Sequence, residues 1–140
     1  MPTTGTLLAK STALYKEGTP DVKISCQVDV EITMETATYD ITCKDSGSWA
    51  ESRNGTKSWS ASITAFLAWD ATEGFEEFFD AWSADTAYVV VFGTGVSGDK
   101  YLTGTTYITN LTSSSQGNDA GVTWSATLTG TGALTKATYA

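Results

Sequence analysis

Polar and apolar residues alternate along three stretches of the chain, which is the pattern of β-strands with one buried face. The first stretch runs from residue 22 to 34, and residues 37–43 and 57–69 repeat the alternation. The apolar face of the first stretch consists of Val22, Ile24, Cys26, Val28, Val30, Ile32 and Met34. In the third stretch, Trp59, Ala61, Ile63, Ala65, Leu67 and Trp69 share one face and hydroxyl residues share the other. We expect residues 22–34 to form one half-buried strand or two short strands.

After residue 69 the period of the apolar residues changes from 2 to 3.6, which predicts one helix over about 72–84. Its apolar stripe consists of Phe75, Phe78, Phe79 and Trp82, and Glu73, Glu76, Glu77 and Asp80 cover the opposite side. Asp70 or Thr72 is expected to cap its N-terminus. We expect the aromatic stripe to pack on the sheet and the acidic residues to face solvent.

Three further strands are predicted at 87–92, 101–112 and 121–129, with a bend at 130–132. The segment 93–98 (GTGVSG) matches the glycine pattern of dinucleotide sites, but such glycines must open a helix. The residues that follow it, DKYLTGTTYIT, favour a strand instead. The segment is therefore interpreted as a loop between strands, and the whole chain, 1–140, as a single β-rich domain with one helix.

A polar stretch interrupts the strand pattern at KDSGSWAESRNG, residues 44–55. It holds two glycines and a single aromatic residue, Trp49, and predicts a protruding loop or hairpin tip over about 44–57. Loops of this length are often functional. An exposed Trp among glycines and charged residues is typical of an interface anchor. The alternative for Trp49 is that it folds back on its own domain.

Composition excludes several classes of function. The chain has 140 residues with 16 acidic and 8 basic side chains, a net charge of −8, and no histidine. The absence of histidine excludes Ser-His-Asp and Cys-His catalysis and His-ligated zinc. Eight scattered cations do not suit tight binding of nucleic acid. We therefore expect no enzyme, no catalytic residue, no cofactor and no metal site.

The two cysteines and the N-terminus add little. Cys26 and Cys43 are interpreted either as two buried thiols or, if residues 22–44 fold back around Met34 and Glu35, as a cross-strand disulfide. The first 18 residues lack the basic and apolar regions of a secretory signal. No apolar run is long enough to predict a membrane span.

Asp29, Glu31 and Glu35 lie on the polar face of the first stretch. Alternate residues of a strand are about 6.5–7 Å apart, so these carboxylates diverge and do not encircle a calcium ion. A shared negative field is the better interpretation.

The chain resembles the major tail protein family, the tail-tube subunits of long-tailed bacteriophages. The resemblance is carried by YDITCKDSGSW (39–49), GTKSWS (55–60), the single helix between strands, GTTYITNL (104–111) and VTWSATLTGTGAL (122–134). It implies a β-sandwich or partly closed barrel flanked by one helix. It further implies a structural subunit whose rings, usually of six copies, stack into a tube through which the phage genome passes.

The resemblance also assigns surfaces and partners. The long loop is expected to contact a neighbouring subunit or ring, with candidate interface residues Lys44, Asp45, Trp49, Glu51, Arg53 and Lys57. Asp29, Glu31 and Glu35 are the candidate lining of the tube, where like charge would keep DNA from adhering. Expected partners are further copies of the chain and other tail proteins (tape measure, distal tail and terminator proteins), with no membrane. The expected location is the virion tail, assembled in the host cytoplasm.

One alternative function remains open from the residues. It is an extracellular or virion-surface β-sandwich that binds carbohydrate or mediates adhesion, with Trp49 or Trp59 as a stacking platform.

Overall fold

Segments rich in β-branched and aromatic residues form seven strands around one helix, in a computed structural model that describes residues 4–7, 12–18, 21–24, 27–69, 73–115, 117–118 and 121–140. The elements are β1 (Ala13–Lys16), β2 (Val22–Lys23), β3 (Gln27–Asp40), β4 (Ser52–Phe66), α1 (Phe75–Ser83), β5 (Tyr88–Gly93), β6 (Lys100–Ser114) and β7 (Thr123–Thr138). The prediction of a mainly β fold with one helix is confirmed.

All seven strands belong to one antiparallel sheet in the order β2-β1-β5-β6-β7-β4-β3. The two edge strands, β2 and β3, are neighbours in the chain, so the sheet must curl until its edges approach each other. The side chain of Gln27, at the start of β3, connects β3 to β1, since its amide donates to the Leu14 carbonyl at 2.7 Å and accepts from the Leu14 N–H at 2.9 Å. No backbone ladder closes the sheet in the described residues, so it is a partly closed barrel.

The core lies on one face of this sheet, which we call the core face. It carries the alternating residues Trp59, Ala61, Ile63 and Ala65 of β4 and Trp124, Ala126 and Leu128 of β7. Helix α1 covers this face through Phe78, whose ring centroid lies 4.9 Å from that of Trp124 and 4.8 Å from that of Tyr88. The opposite side of β3, β4, β6 and β7 is called the outer face.

Helix α1 begins three residues later than predicted, and only half of its aromatic stripe is in the core. Gly74 precedes it, and the Gly74 N–H donates to the Glu77 carboxylate at 2.9 Å. The predicted caps Asp70 and Thr72 lie outside the described residues. Phe75 and Phe78 pack on the core, whereas Phe79 and Trp82 are exposed and contact each other. The prediction for these two is wrong because the sheet covers the helix at Phe75 and Phe78 but not at these two positions.

Glu73 was expected on the solvated side of the helix, but it precedes the helix and is buried, with 7% of its surface exposed. Its carboxylate accepts a hydrogen bond from the Tyr88 hydroxyl at 3.1 Å and pairs with the Lys16 ammonium at 3.3 Å. Burial, followed by the Glu73 charge, raises the pKa of Tyr88. These contacts attach the start of α1 to β1 and β5.

Three strand boundaries differ from the prediction. First, residues 27–40 form one uninterrupted strand, so the fold-back around Met34 and Glu35 is absent. Second, β4 ends at Phe66, which leaves Trp69 beyond the strand and 63% exposed. Third, β7 continues through the predicted bend at 130–132 by placing Gly132 at a φ of 76°, next to a register irregularity.

The segment 93–98 connects β5 to β6, as expected, and opens no helix. Gly95 and Gly98 adopt positive φ values there, and the Thr94 hydroxyl donates to the Asp99 carboxylate at 2.6 Å. The glycines therefore serve a turn, and the dinucleotide pattern has no counterpart in the structure.

Two glycines of the core face make room for Trp59. A Cβ atom built on Gly130 would lie 2.1 Å from the indole of Trp59, and one built on Gly104 would lie 2.4 Å from it. The indole N–H donates to the Gly132 carbonyl at 3.2 Å. The ring therefore lies flat on the backbones of β6 and β7, in a space that only glycine leaves free.

We predict that Gly130→Ala lowers the free energy of unfolding by about 1–3 kcal/mol, because the added methyl group overlaps a buried ring enclosed by backbone. Urea denaturation monitored by tryptophan fluorescence measures this change. Gly55→Ala is the matched control in β4, since its Cβ would meet its nearest neighbour at 3.4 Å, an ordinary contact. Equal stability of the two variants would contradict the proposed role of the glycine.

Candidate subunit interfaces

The most exposed part of the molecule is a two-stranded projection, which we call the arm. It consists of Glu35–Asp40 of β3 paired with Ser52–Ser58 of β4, together with residues 41–51, the arm tip. Both faces of its two strands are exposed. A hairpin without a hydrophobic face is only marginally stable by itself. The arm therefore gains no burial from its own domain.

The arm begins where β4 separates from β7. These two strands pair only from Ser60 to Phe66, and Trp59 marks the point of separation. Beyond it β4 continues with β3 alone, while β7 continues with β6. At about 3.3 Å per residue, the seven residues Ser52–Ser58 carry the tip roughly 23 Å beyond this point.

The tip is ordered by its own hydrogen bonds although it is exposed. The Thr42 side chain replaces one rung of the ladder, since its hydroxyl accepts from the Glu51 N–H at 2.8 Å and donates to the Glu51 carbonyl at 3.1 Å. The Asp40 carboxylate accepts from the Thr42 N–H at 2.8 Å, and Lys44–Ser46 form a 3-10 turn. Trp49 is held on this tip with 82% of its surface exposed.

The structure brings all six predicted interface residues onto the arm, and all are exposed. Lys44, Asp45, Trp49 and Glu51 belong to the tip. The predicted loop 44–57 is shorter than expected, because β4 starts at Ser52 and includes the other two. Arg53 lies opposite Tyr39 and Lys57 opposite Thr36. Trp49 does not fold back on the domain.

Cys43 lies on the tip and is exposed and free, so its interpretation as a buried thiol is wrong. Cys26 lies outside the described residues. The uninterrupted strand β3 lies between the two cysteines in the chain, and this removes the fold-back that a cross-strand disulfide required. A hydrogen bond with the Ser46 hydroxyl, 3.6 Å from the Cys43 sulfur, is the main cause that lowers the pKa of the Cys43 thiol.

Asp29, Glu31 and Glu35 lie on the outer face of β3, exposed and side by side along the strand. The register places them opposite Thr64, Ser62 and Ser58 of β4. The same face continues across the sheet with Thr123, Ser125, Thr127 and Thr129 of β7 and with Tyr107, Asn110, Thr112 and Ser114 of β6. These paired positions include no lysine or arginine, so the described part of this face combines hydroxyl groups with carboxylates.

The same four strands have two unpaired edges. β5 pairs with β6 only over Leu102–Thr106, which leaves Tyr107–Ser114 without a backbone partner on that side among the described residues. At the other end of the series, β3 is the edge strand along its full length. Unpaired N–H and C=O groups of this kind template another strand.

Sequence reasoning missed several exposed aromatic residues. Trp69 was assigned to a buried face, and Phe79 and Trp82 to the core, yet all three are exposed. A strand or helix period predicts which residues share a face, but it does not predict the residue at which the element ends. β4 ends at Phe66, so Trp69 lies beyond the strand and is exposed. Trp59, in contrast, is only 6% exposed, so its use as a platform for stacking sugars is wrong.

Two kinds of feature are absent from the described part of the chain. It contains no group of three or more Cys, Asp or Glu side chains placed to hold a metal ion. Among those residues there is also no helix long and apolar enough to cross a membrane.

A β-rich domain with open strand edges and an ordered arm that packs on nothing of its own is the form of a subunit that assembles with copies of itself. The model of the phage tail tube protein family matches residues 16–136 of the sequence. The chain belongs to this family of structural tail-tube proteins. A comparison with curated proteins gives no match.

Solved structures of tail tubes share the fold. The chain is similar to the subunit in the tail of an empty gene transfer agent (GTA) particle refined with C6 symmetry, with 16% identity and a TM-score of 0.77, covering 93% of this chain and 98% of that one. For the SPP1 tail tube, the identity is 10%, the TM-score 0.71 and the coverage 95% and 80%. For the sheath–tube complex of an extracellular contractile injection system (PVC), the values are 14%, 0.62, 95% and 92%.

We predict that Ser46→Ala raises the pKa of the Cys43 thiol, because the hydroxyl that stabilises the thiolate is removed. The pH profile of alkylation at Cys43, followed by mass spectrometry of the peptide that contains it, measures this shift. Above both pKa values the two proteins should react alike, and at lower pH the variant should react more slowly. Thr33→Ala is the control, since Thr33 lies on β3, away from the tip. Coincident profiles for Ser46→Ala and the parent protein would contradict the assignment.

Proposed function

We propose that copies of this chain join edge to edge into a ring, that rings stack into a phage tail tube, and that DNA moves through the tube during ejection. The observation that supports this most directly is the pair of open edges on β6-β7-β4-β3. Strand directions alternate across these four strands, so β3 of one copy would run antiparallel to β6 of the next. An even number of strands per copy keeps this relation around any closed ring.

Six copies, the symmetry of the gene transfer agent tail, would form a barrel of about 24 strands. With a strand spacing of about 4.8 Å and a tilt of about 40°, the backbone of such a barrel is about 48 Å across. That leaves room for side chains and a DNA duplex. The whole chain, 1–140, would act as one tail-tube domain.

The outer face is the side of these strands that would line the lumen, because the core and α1 occupy the other side. Asp29, Glu31 and Glu35 would then project toward DNA, surrounded by small hydroxyl groups. Like charge repels phosphates, and hydroxyl groups bind water without holding an anion firmly. The acidic residues Glu76 and Asp80 of α1 would lie on the tube exterior.

This function requires no reaction, so we assign the protein no enzymatic activity and no cofactor. Other tail components would meet the tube at defined places: a tape measure protein in the lumen, and distal tail and terminator proteins at its two ends. The assembled protein would be part of the virion tail, after assembly in the host cytoplasm.

Hydrogen exchange tests whether the open edges of β3 and β6 pair with neighbouring copies in the tube. We expect the amides of 27–35 and 107–114 that point away from the sheet to exchange at least tenfold more slowly in assembled tubes than in monomers. Residues 90–92 of β5 are the control segment, because β1 and β6 already pair with their two sides. Tubes in which the two edge segments keep their monomer exchange rates would exclude edge pairing.

A charge reversal tests whether the outer face, which carries Glu31, lines the lumen. Glu31→Lys tubes should retain duplex DNA in a form protected from nuclease and released by salt, since each ring gains cations facing the channel. Glu76→Lys on α1 is the matched control, and any DNA that it binds should be digested. Digestible DNA on both variants would place Glu31 outside the lumen, while the edge experiment would still stand.

A further inference from the structure

Helix α1 carries an exposed apolar surface that the core does not use. Phe79 and Trp82, which we call the helix pair, are 47% and 48% exposed, and their ring centroids lie 6.0 Å apart. Trp82 follows Phe78 by four residues, so these two side chains lie on the same side of the helix. Because Phe78 is in the core, the ring of Trp82 borders the core face.

The helix pair lies toward the open edge of β6. The start of α1 is near β7, since the Phe75 ring centroid is 6.0 Å from that of Trp124. The end of α1 is followed by a short turn and then by β5. β7 and β5 pair with opposite sides of β6, so α1 crosses β6 and its last turn, with Trp82, lies on the β5 side. On that side Tyr107–Ser114 has no backbone partner among the described residues.

A second apolar surface lies beside the other open edge, on β3. Its members pair with core-face residues of β4 and therefore belong to the core face; we call them the edge strip, and they are Val30, Ile32 and Met34. Val30 and Ile32 are half-buried and Met34 is 60% exposed, since no described strand lies beyond β3 in the sheet. The other face of β3 carries Asp29 and Glu31 instead.

Both surfaces thus lie on the core-face side of the sheet, one beside each open edge. When β3 of one copy pairs with β6 of the next, the helix pair of the second copy comes to lie next to the edge strip of the first. The contact joins two different surfaces, so it repeats from copy to copy and closes with the ring.

We propose that the helix pair of each copy packs on the edge strip of its neighbour in the same ring, on the side away from the lumen. This inference rests on the proposed ring, to which it adds a side-chain contact beside the paired edges. Backbone pairing exchanges hydrogen bonds with water for hydrogen bonds between copies, so its net gain is modest. Burial of two aromatic rings against aliphatic side chains supplies further affinity.

The same contact determines which way round the neighbour is held. An open strand edge accepts a partner in antiparallel or parallel orientation. A neighbour that is turned over would offer β6 in parallel orientation, and its helix pair would then lie against Asp29 and Glu31. Apolar rings do not replace the water that carboxylates lose on burial, so the antiparallel orientation is favoured.

Photo-cross-linking tests which surface the helix pair contacts. Benzoylphenylalanine in place of Trp82, in a minority of subunits within wild-type tubes, should cross-link to residues 28–34 of another copy, localised by fragmentation of the linked peptides. The same amino acid in place of Val96, which is 39% exposed on the loop between β5 and β6, is the control and should not label this segment. Cross-links from position 82 only to other segments, or to no second copy, would overturn the proposal.

Substitutions measure the contribution of each surface to assembly. The double variant Phe79→Ser, Trp82→Ser removes the helix pair, and Met34→Ser removes the most exposed member of the edge strip. These changes affect exposed side chains, so circular dichroism should show folded monomers. Each variant should raise the protein concentration at which half of the chains are in rings by about tenfold or more, measured by sedimentation velocity. Val96→Ser removes a comparably exposed apolar side chain and should leave this concentration unchanged.

The combination of all three substitutions separates a direct contact from two independent effects. If the helix pair touches the edge strip, the combined variant should lose clearly less than the product of the two separate losses. Losses that multiply, or variants that assemble like the wild type, would overturn the inference and leave the ring itself standing. A wild-type protein that forms no rings at any concentration would refute the proposed function instead.

Discussion

The packing of Trp59 on two glycine backbones determines the form of this molecule. Without side chains at Gly104 and Gly130, the indole lies directly on β6 and β7 and its N–H reaches Gly132. The pairing of β4 with β7 stops at Ser60, the residue after Trp59, so the sheet divides beside this ring. One branch becomes the arm, and the other becomes the hairpin of β6 and β7. The aromatic contact therefore lies at the point where the body of the sheet meets its projection.

The division also separates two kinds of contact in space. Lateral contacts would use the open sides of β3 and β6, where backbone groups are unpaired. Axial contacts would use the ends of the strands, where side chains project from the arm tip. Because the two sets share few residues, a change in one need not disturb the other. The helix is attached to the core by Phe78, and Glu73, just before it, contacts β1 and β5.

The sequence pattern predicted the strands and the helix correctly, but it predicted the residues at which they begin and end less well. The strict alternation in residues 57–65 and 122–128 reflects a sheet with one buried face, and this is why the strands and the core were predictable. The mistakes at Trp69, Phe79 and Trp82 have a common cause. Periodicity reports which residues share a face, but the number of turns or residues that a neighbour covers depends on tertiary contacts.

The candidate interface was predictable for a different reason. Trp49 lies among glycines and charged residues, and no apolar period includes it, so its exposure followed from local sequence. Glu73 shows the opposite case, since its burial depends on Lys16 and Tyr88, which are distant in the chain. The pairing of Phe66 with Thr123 likewise joins residues that are distant in the chain, and only the register of β4 and β7 brings them together.

The bridge made by Gln27 has a consequence for polymerisation. A chain that closed its barrel with a full backbone ladder between β1 and β3 would satisfy every edge and remain a monomer. Here one side-chain amide joins β3 to β1 at a single residue, and within the described part of the chain the rest of the β3 edge has no backbone partner. The domain therefore keeps an open strand edge, which a protein that assembles with copies of itself can use for pairing.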